Sequence, residues 1–251
     1  MSDDLVKRRV ELKHVFPARD GEALRARMRA LRPGFGGWVT TVYFDFPDRR
    51  FTRAALDRPE ANLKIRLREY FSDDDLPCSP FVWLEIKERD GARSNKQRFQ
   101  LHKRMVRGFL EGEMDLASVL TCQEGAPDLS RVVDAARRLH DLARGSLVPV
   151  GAVRYLRCST QGGEPAARLT LDRGIAYHVG PVGLYDAHDA LDADALGAPT
   201  WSDGAAVVEI KHAGAAPPAW CRAFVGDRPA SDYSKFLHLA RLSLAEPSYV
   251  D

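Results

Sequence analysis

From Leu63 to Arg68 the chain reads Leu-Lys-Ile-Arg-Leu-Arg, and a two-residue period of this kind separates into one apolar and one basic face only when the backbone is extended. Strand-like patterns occur at residues 7–16, 38–46, 62–70, 81–88, 95–101, 148–160, 166–171, 175–178 and 205–212. They are separated by Pro-, Gly- or Asp-rich connections such as Ser72–Pro77 and Asp90-Gly91. The Gly162-Gly163 pair predicts a hairpin turn between the sixth and seventh of these segments, 148–160 and 166–171.

Three stretches carry the longer helical period instead. Residues 20–31 form one. A helical insertion spans about 105–145, where Leu129, Val132, Val133, Ala136, Leu139 and Leu142 recur at helical spacing after Asp128. Beyond Pro217-Pro218 a terminal helix is predicted over about 232–243, with Ser231 as its N-cap and Phe236, Leu237, Leu239, Ala240 and Leu242 as its apolar stripe. Residues 186–204 read as loop. Many strands in succession, with helices at the ends and in one insertion, predict an α+β domain on a curled antiparallel sheet rather than a parallel α/β fold. The length of 251 residues and 45% hydrophobic content suit a single domain over 1–251.

Charge is sorted among the strands although the whole chain is nearly balanced. The net charge is +2, from 37 basic and 35 acidic side chains, so bulk electrostatics predicts neither a nucleic-acid nor a membrane partner. The strand positions tell a different story. Among the positions singled out on the strand faces, eleven are basic (Lys13, Lys64, Arg66, Arg68, Lys87, Lys96, Arg98, Arg154, Arg157, Arg168 and Lys211) and four acidic (Glu11, Glu85, Asp172 and Glu209). Residues i and i+2 of a strand project from one face roughly 6–7 Å apart, which suits successive phosphates of a chain. Neighbouring like charges repel, and a bound polyanion would relieve that cost. Each strand alone could be a solvated outer face; the recurrence of the pattern favours an anion site. The Glu-x-Lys pairs at Glu11, Glu85 and Glu209 place carboxylates beside the bases, where they could hold the hard ions Mg²⁺ or Mn²⁺.

Several function classes are excluded by what the sequence lacks. There is no GxxxxGK[ST] phosphate loop, no GxGxxG after a strand, no HExxH and no GxSxG. Cys78, Cys122, Cys158 and Cys221 lie far apart without CxxC spacing, which predicts reduced thiols. The amino-terminal residues are charged and no run of about 18 apolar residues occurs, so the expected location is the cytoplasm with no membrane segment in this chain.

The segments Arg9-Val-Glu-Leu-Lys13, Thr41-Val-Tyr-Phe-Asp45, Leu63–Arg68, Leu84-Glu-Ile-Lys87, Lys96-Gln-Arg98, Arg154-Tyr-Leu-Arg157, Arg168-Leu-Thr-Leu-Asp172, Val208-Glu-Ile-Lys211 and Ser234-Lys-Phe236 together resemble the vacuolar transporter chaperone (VTC) catalytic domain, a branch of the triphosphate tunnel metalloenzymes. Their number and order carry the resemblance; no single motif does. It implies an eight-stranded antiparallel β tunnel with flanking helices, lined by bases. The implied activity is a polyphosphate polymerase that moves the γ-phosphate of ATP onto orthophosphate or a growing polyphosphate chain, with Mn²⁺ or Mg²⁺ as cofactor.

By matching motif, the resemblance makes Lys13, Arg66, Arg68, Lys87, Lys96, Arg154, Arg168 and Lys211 phosphate grips. Glu209 becomes the metal ligand, and Lys235 approaches from the terminal helix. Lys64 and Arg98 are additional contacts; the strand-face pattern adds Arg157 to the substrate contacts, and Glu11 and Glu85 to the metal candidates. The hydrolytic branch opens with Glu-x-Glu-x-Lys, whereas here Arg9 stands at the first glutamate, which leans the reading toward a polymerase. The alternatives are a metal-dependent inorganic or nucleoside triphosphatase and a non-enzymatic polyphosphate-binding module.

Overall fold

A computed structural model describes residues 10–31, 34–91, 93–123, 128–144, 147–162, 166–185 and 188–245. The described residues form nine strands: β1 (Val10–Pro17), β2 (Gly36–Asp45), β3 (Ala61–Tyr70), β4 (Phe81–Asp90), β5 (Arg93–His102), β6 (Val148–Gly162), β7 (Ala167–Val179), β8 (Trp201–Ser202) and β9 (Ala205–His212). They make one sheet in the order β1-β9-β7-β6-β2-β3-β4-β5, with the short β8 on β7. The β1–β9, β7–β9, β2–β3, β3–β4 and β4–β5 ladders are antiparallel. The helices are α1 (Gly21–Leu31), α2 (Arg50–Asp57), α3 (Val106–Leu110), α4 (Leu116–Leu120), α5 (Leu129–Ala143), α6 (Ala193–Leu196), α7 (Ala219–Val225) and α8 (Lys235–Ala245). The fold is α+β, an antiparallel sheet with flanking helices.

Contacts divide the chain into two compact units. The first comprises residues 1–38, 155–175 and 202–233, and the second comprises 39–154, 176–201 and 234–251.

In the first unit, β1, β9 and β7 turn Leu12 and Phe16, then Ala206, Val208 and Ile210, then Leu169 and Leu171, toward one apolar layer. Leu24 and Met28, one helical turn apart on α1, and Cys221 and Phe224 of α7 close that layer. Alternation therefore assigns the odd-numbered residues of β1 and β9, and the even-numbered polar residues of β7, to the opposite face. That is the face of Glu11, Lys13, Glu209, Lys211, Arg168, Thr170 and Asp172.

In the second unit the apolar face of β2–β5 presents Val42, Phe44, Ile65, Leu67, Val82, Leu84, Ile86, Phe99 and Leu101. Helices α3, α4 and α5 pack against it through Val106, Phe109, Val119, Val132, Ala135, Ala136 and Leu139. Side-chain caps begin two of these helices. Asp115 accepts from the Ser118 N–H at 2.7 Å and Asp128 from the Arg131 N–H at 3.2 Å, satisfying donors that have no partner within a helix.

The structure departs from the sequence reading in four places. The 166–171 and 175–178 segments form one strand, because Gly174 adopts a positive φ of 57° within it and lets the strand continue. Helix α2 was not expected. It follows Asp45, whose carboxylate accepts from the Phe51 N–H at 3.1 Å and from the Thr52 N–H and hydroxyl at 2.7 Å each, so its cap lies several residues upstream of any adjacent N-cap position. Residues 186–204 include α6 and β8. The terminal helix starts at Lys235, with the Ser234 hydroxyl accepting from the Leu237 N–H at 3.4 Å, whereas Ser231 donates its N–H to the Lys13 carbonyl on β1 at 2.8 Å. Arg9 and the Gly163 half of the expected turn lie outside the described residues.

Among the described residues, no helix is long and apolar enough to cross a membrane. All four cysteines are free thiols.

Candidate phosphate-binding site

In the second unit, β3, β4 and β5 align their basic residues in two rows across the sheet. Arg66 pairs with Glu85, and Glu85 with Arg98; one step along, Lys64 pairs with Lys87, and Lys87 with Lys96. Two residues in the other direction, Arg68 is opposite Trp83. Since adjacent strands lie about 4.8 Å apart, the lysine row sets three like charges side by side.

Glu85 is 1% exposed and lies at the centre of the first row. Arg66 binds its Oε2 through Nε at 2.7 Å and Nη2 at 2.6 Å. Lys96 lies 3.4 Å and Arg98 3.9 Å from Oε1, and Arg68 is 3.9 Å from Oε2. Burial alone would raise the pKa of this carboxyl; Arg66, Arg68 and Lys96 hold it well below the usual carboxylate range. The Glu85 carboxylate, one of the three expected metal candidates, is thus already surrounded by four cationic side chains.

Lys96 pays for this arrangement: burial, only partly offset by Glu85, lowers its pKa from 10.5 to about 8. Above pH 8 it loses its charge. The affinity for tripolyphosphate, measured by calorimetry, should therefore fall about fivefold between pH 7 and pH 9, the weight of one half-exposed charged contact. Lys96→Arg should flatten that fall; an equal fall in the variant removes Lys96 from the site.

The polar face has further features in this unit. Phe236, in the first turn of α8, packs 5.0 Å from the Tyr43 ring and 5.0 Å from Lys64 Nζ. This brings the helix start, with Lys235, to the side of the sheet that carries the bases. The Arg98 guanidinium stacks over Trp83 at 4.0 Å.

In the first unit, β1 and β9 pair Glu11 with Lys211 and Lys13 with Glu209, a checkerboard of opposite charges. Lys211 Nζ is 2.8 Å from Glu209 Oε1 and 3.4 Å from Glu11 Oε2. Lys13 Nζ is 3.5 Å from Glu11 Oε1 and donates to the Tyr233 carbonyl at 2.9 Å. On the adjoining ladder Arg168 pairs with Lys211 and Thr170 with Glu209. Arg157 forms a two-point bond to Asp172 at 2.6 and 2.7 Å. Burial raises the pKa of Glu209 and Glu11 adds to that, yet Lys211, Arg157 and Lys13 together leave it below its ordinary value. Glu209 is thus ionised at neutral pH.

The donor set of this unit fits a divalent cation with few protein ligands. Two carboxylates, Glu11 and Glu209, meet at one ammonium group, and the buried Thr170 hydroxyl opposite Glu209 has no hydrogen-bond partner among the described residues. No group of three or more His, Cys, Asp or Glu suited to a metal occurs among the described residues. Water and phosphate oxygens would complete the coordination of such an ion.

Arg154 stands apart from both clusters. It is 4% exposed and donates to Thr40 Oγ1 at 2.8 Å and the Leu191 carbonyl at 3.5 Å, while pairing with Asp75. Thr40 shares its side of β2 with the core residues Val42 and Phe44, so the Arg154 guanidinium is engaged on the covered side of the strand. The residue expected as a phosphate grip at Arg154 is thus engaged by Thr40, the Leu191 carbonyl and Asp75. Tyr233, Thr170 and Asp172 were absent from the predicted site; alternation puts Thr170 and Asp172 on the face of Arg168, the β7–β9 register sets Thr170 opposite Glu209, and Tyr233 joins through its carbonyl's bond from Lys13.

The same arrangement of strands and helices is found in a solved triphosphatase: HpAC1 from Hippeastrum, a candidate adenylyl cyclase with a dominant triphosphatase activity, superposes with a TM-score of 0.55 at 16% identity, covering 94% of this chain and 96% of that one. At that identity the likeness concerns the fold. The family model described as the VTC domain matches residues 3–243, and the chain belongs to that family. It is 25% identical over 230 residues to vacuolar transporter chaperone complex subunit 4 of Schizosaccharomyces pombe, a match that covers 80% of this chain. The match spans 31% of that relative's length.

Proposed function

We propose that the chain is a polyphosphate polymerase that transfers the γ-phosphate of ATP to orthophosphate or to the end of a polyphosphate chain. The observation that carries this reading is the cross-strand row Lys64–Lys87–Lys96 beside the Arg66–Glu85–Arg98 row, a surface whose repulsion a phosphate chain would offset. Membership of the VTC domain family supports the same substrate class.

Phosphoryl transfer needs mainly alignment and charge neutralisation, because negative charge spreads over the transferred group in the transition state. Arg66, Arg68, Lys64, Lys87, Lys96 and Arg98 grip phosphate oxygens in the second unit, and Lys13, Arg157, Arg168 and Lys211 do so in the first. Lys235 adds a contact from α8. A terminal phosphate oxygen of the acceptor attacks the γ-phosphorus in line; the bond to the β,γ-bridging oxygen breaks and ADP leaves. Glu209 and Glu11 would hold Mn²⁺ or Mg²⁺, which when bound neutralises charge on phosphate oxygens. An acceptor phosphate chain held by the basic rows would compete with water for the γ-phosphorus, which favours transfer over hydrolysis. The exposed thiol of Cys78 suits a reducing compartment, and we place the domain in the cytoplasm.

Incubating the purified chain with ATP and Mn²⁺ should give a metachromatic polymer on a gel. Orthophosphate release without polymer would instead identify a triphosphatase. Salt-dependent polyphosphate binding without any product would identify a binding module.

A further inference from the structure

The four side chains Glu11, Lys13, Glu209 and Lys211 sum to zero charge, and the ammonium of Lys211 lies where both carboxylates point. A divalent ion bound to both carboxylates would need that same position, since its oxygen ligands lie at about 2.0–2.6 Å. Two cations cannot share it without strong repulsion. A second feature also points to a ligand there: Thr170 is 3% exposed, its hydroxyl has no hydrogen-bond partner among the described residues, and it is the register partner of Glu209.

We propose that Lys211 is an internal counter-cation that holds the Glu11–Glu209 pair in the absence of metal and is displaced when a divalent ion binds, leaving its ammonium free for phosphate. The proposal rests on the metal role given to Glu209 in the proposed function, and adds an occupant and an order of events. Arg168, the exposed cross-strand neighbour of Lys211 on β7, marks where a released ammonium would join a second base. The competition is between cations rather than through a proton. Burial opposes the charge on Lys211, but Glu209 and then Glu11 hold its pKa above 10.5, so it stays protonated throughout neutral pH. By linkage, any phosphate that draws Lys211 away from the carboxylates must tighten metal binding by the same factor that metal tightens phosphate binding.

The test is calorimetric titration of the full chain with MnCl₂ at pH 8 without phosphate, each variant first checked for cooperative thermal unfolding. Lys211→Met and Lys211→Gln should bind Mn²⁺ about tenfold more tightly than the unmodified chain, because the competing charge is gone. Lys211→Arg, which keeps the charge, should show no gain, and Glu209→Gln should lose binding. Unchanged or weaker affinity in both neutral variants, a gain in Lys211→Arg, or no Mn²⁺ binding by any of these proteins would overturn the proposal. Polymer formation with no gain in the neutral variants would sink this inference and keep the polymerase; a gain without polymer from ATP would do the reverse.

Discussion

Glu85→Gln is expected to lower the melting temperature of the chain by roughly 10 °C, and tripolyphosphate is expected to restore most of the loss. The substitution keeps the shape of the side chain but removes the one negative charge that Arg66, Arg68, Lys96 and Arg98 share. Arg66 and Arg68 are themselves largely buried, so their charges are left in a poorly solvating environment. Breaking a buried ion pair by removing one partner costs about 3 kcal/mol or more, and in a chain of this size about 3 kcal/mol corresponds to roughly 6–12 °C. A ligand that binds only the folded state returns about 2.7 kcal/mol at one hundred times its dissociation constant. Rescue by tripolyphosphate but not by an equal ionic strength of chloride, followed by differential scanning fluorimetry, distinguishes a phosphate site from a structural ion cluster. A fall in melting temperature with no rescue would leave Glu85 a structural residue.

The same cluster sets a direction for acid sensitivity. Because the folded pKa of Glu85 is depressed, its contribution is fully present above the ordinary value of 4.5 and is lost as the pH falls below it. Glu85→Gln, having no such carboxylate, should lose less stability than the unmodified chain over that acid range.

The second large effect is expected at Glu209. Glu209→Gln should reduce metal-dependent turnover on the order of 10²–10³-fold, the weight of several kcal/mol of charge stabilisation at the transferred group. Binding of tripolyphosphate in EDTA should be retained or strengthened, since the change removes a negative charge and releases Lys211 from its 2.8 Å bond. Turnover and metal-free binding are then separated in a single variant. Retained turnover would take Glu209 out of the metal role, and loss of both measurements would indicate damage to the β1–β9 ladder rather than to chemistry.

Much of the framework was legible because two-residue alternation is a local property. Leu63, Ile65 and Leu67 lie in or against the core of the second unit and Lys64, Arg66 and Arg68 lie on the other face, as the sequence alone predicts. The α5 helix was legible for the same reason: its Val132, Ala136 and Leu139 stripe and its Asp128 cap are all local. Helix α2 was not, because its capping carboxylate belongs to the end of β2. The terminal-helix cap was misplaced by three residues because Ser231 is engaged by β1, more than two hundred residues earlier in the chain.

Arg154 and Arg157 show where alternation stops. They are three residues apart, so a regular strand places them on opposite faces, but nothing local says which face is polar. Long-range partners decide it: Asp75, Thr40 and the Leu191 carbonyl engage Arg154, whereas Asp172 engages Arg157 in the unit that holds Glu209. The sequence by itself determined the α+β class, the strand faces and the excess of bases on them, since these follow from the local stereochemistry of an extended chain. Register alone decided that Lys64, Lys87 and Lys96 line up, that Glu85 serves four cations, and that Lys211 lies between Glu11 and Glu209. Register is set by the packing of whole strands against distant partners, and so a charge pattern becomes a binding surface only in the folded sheet.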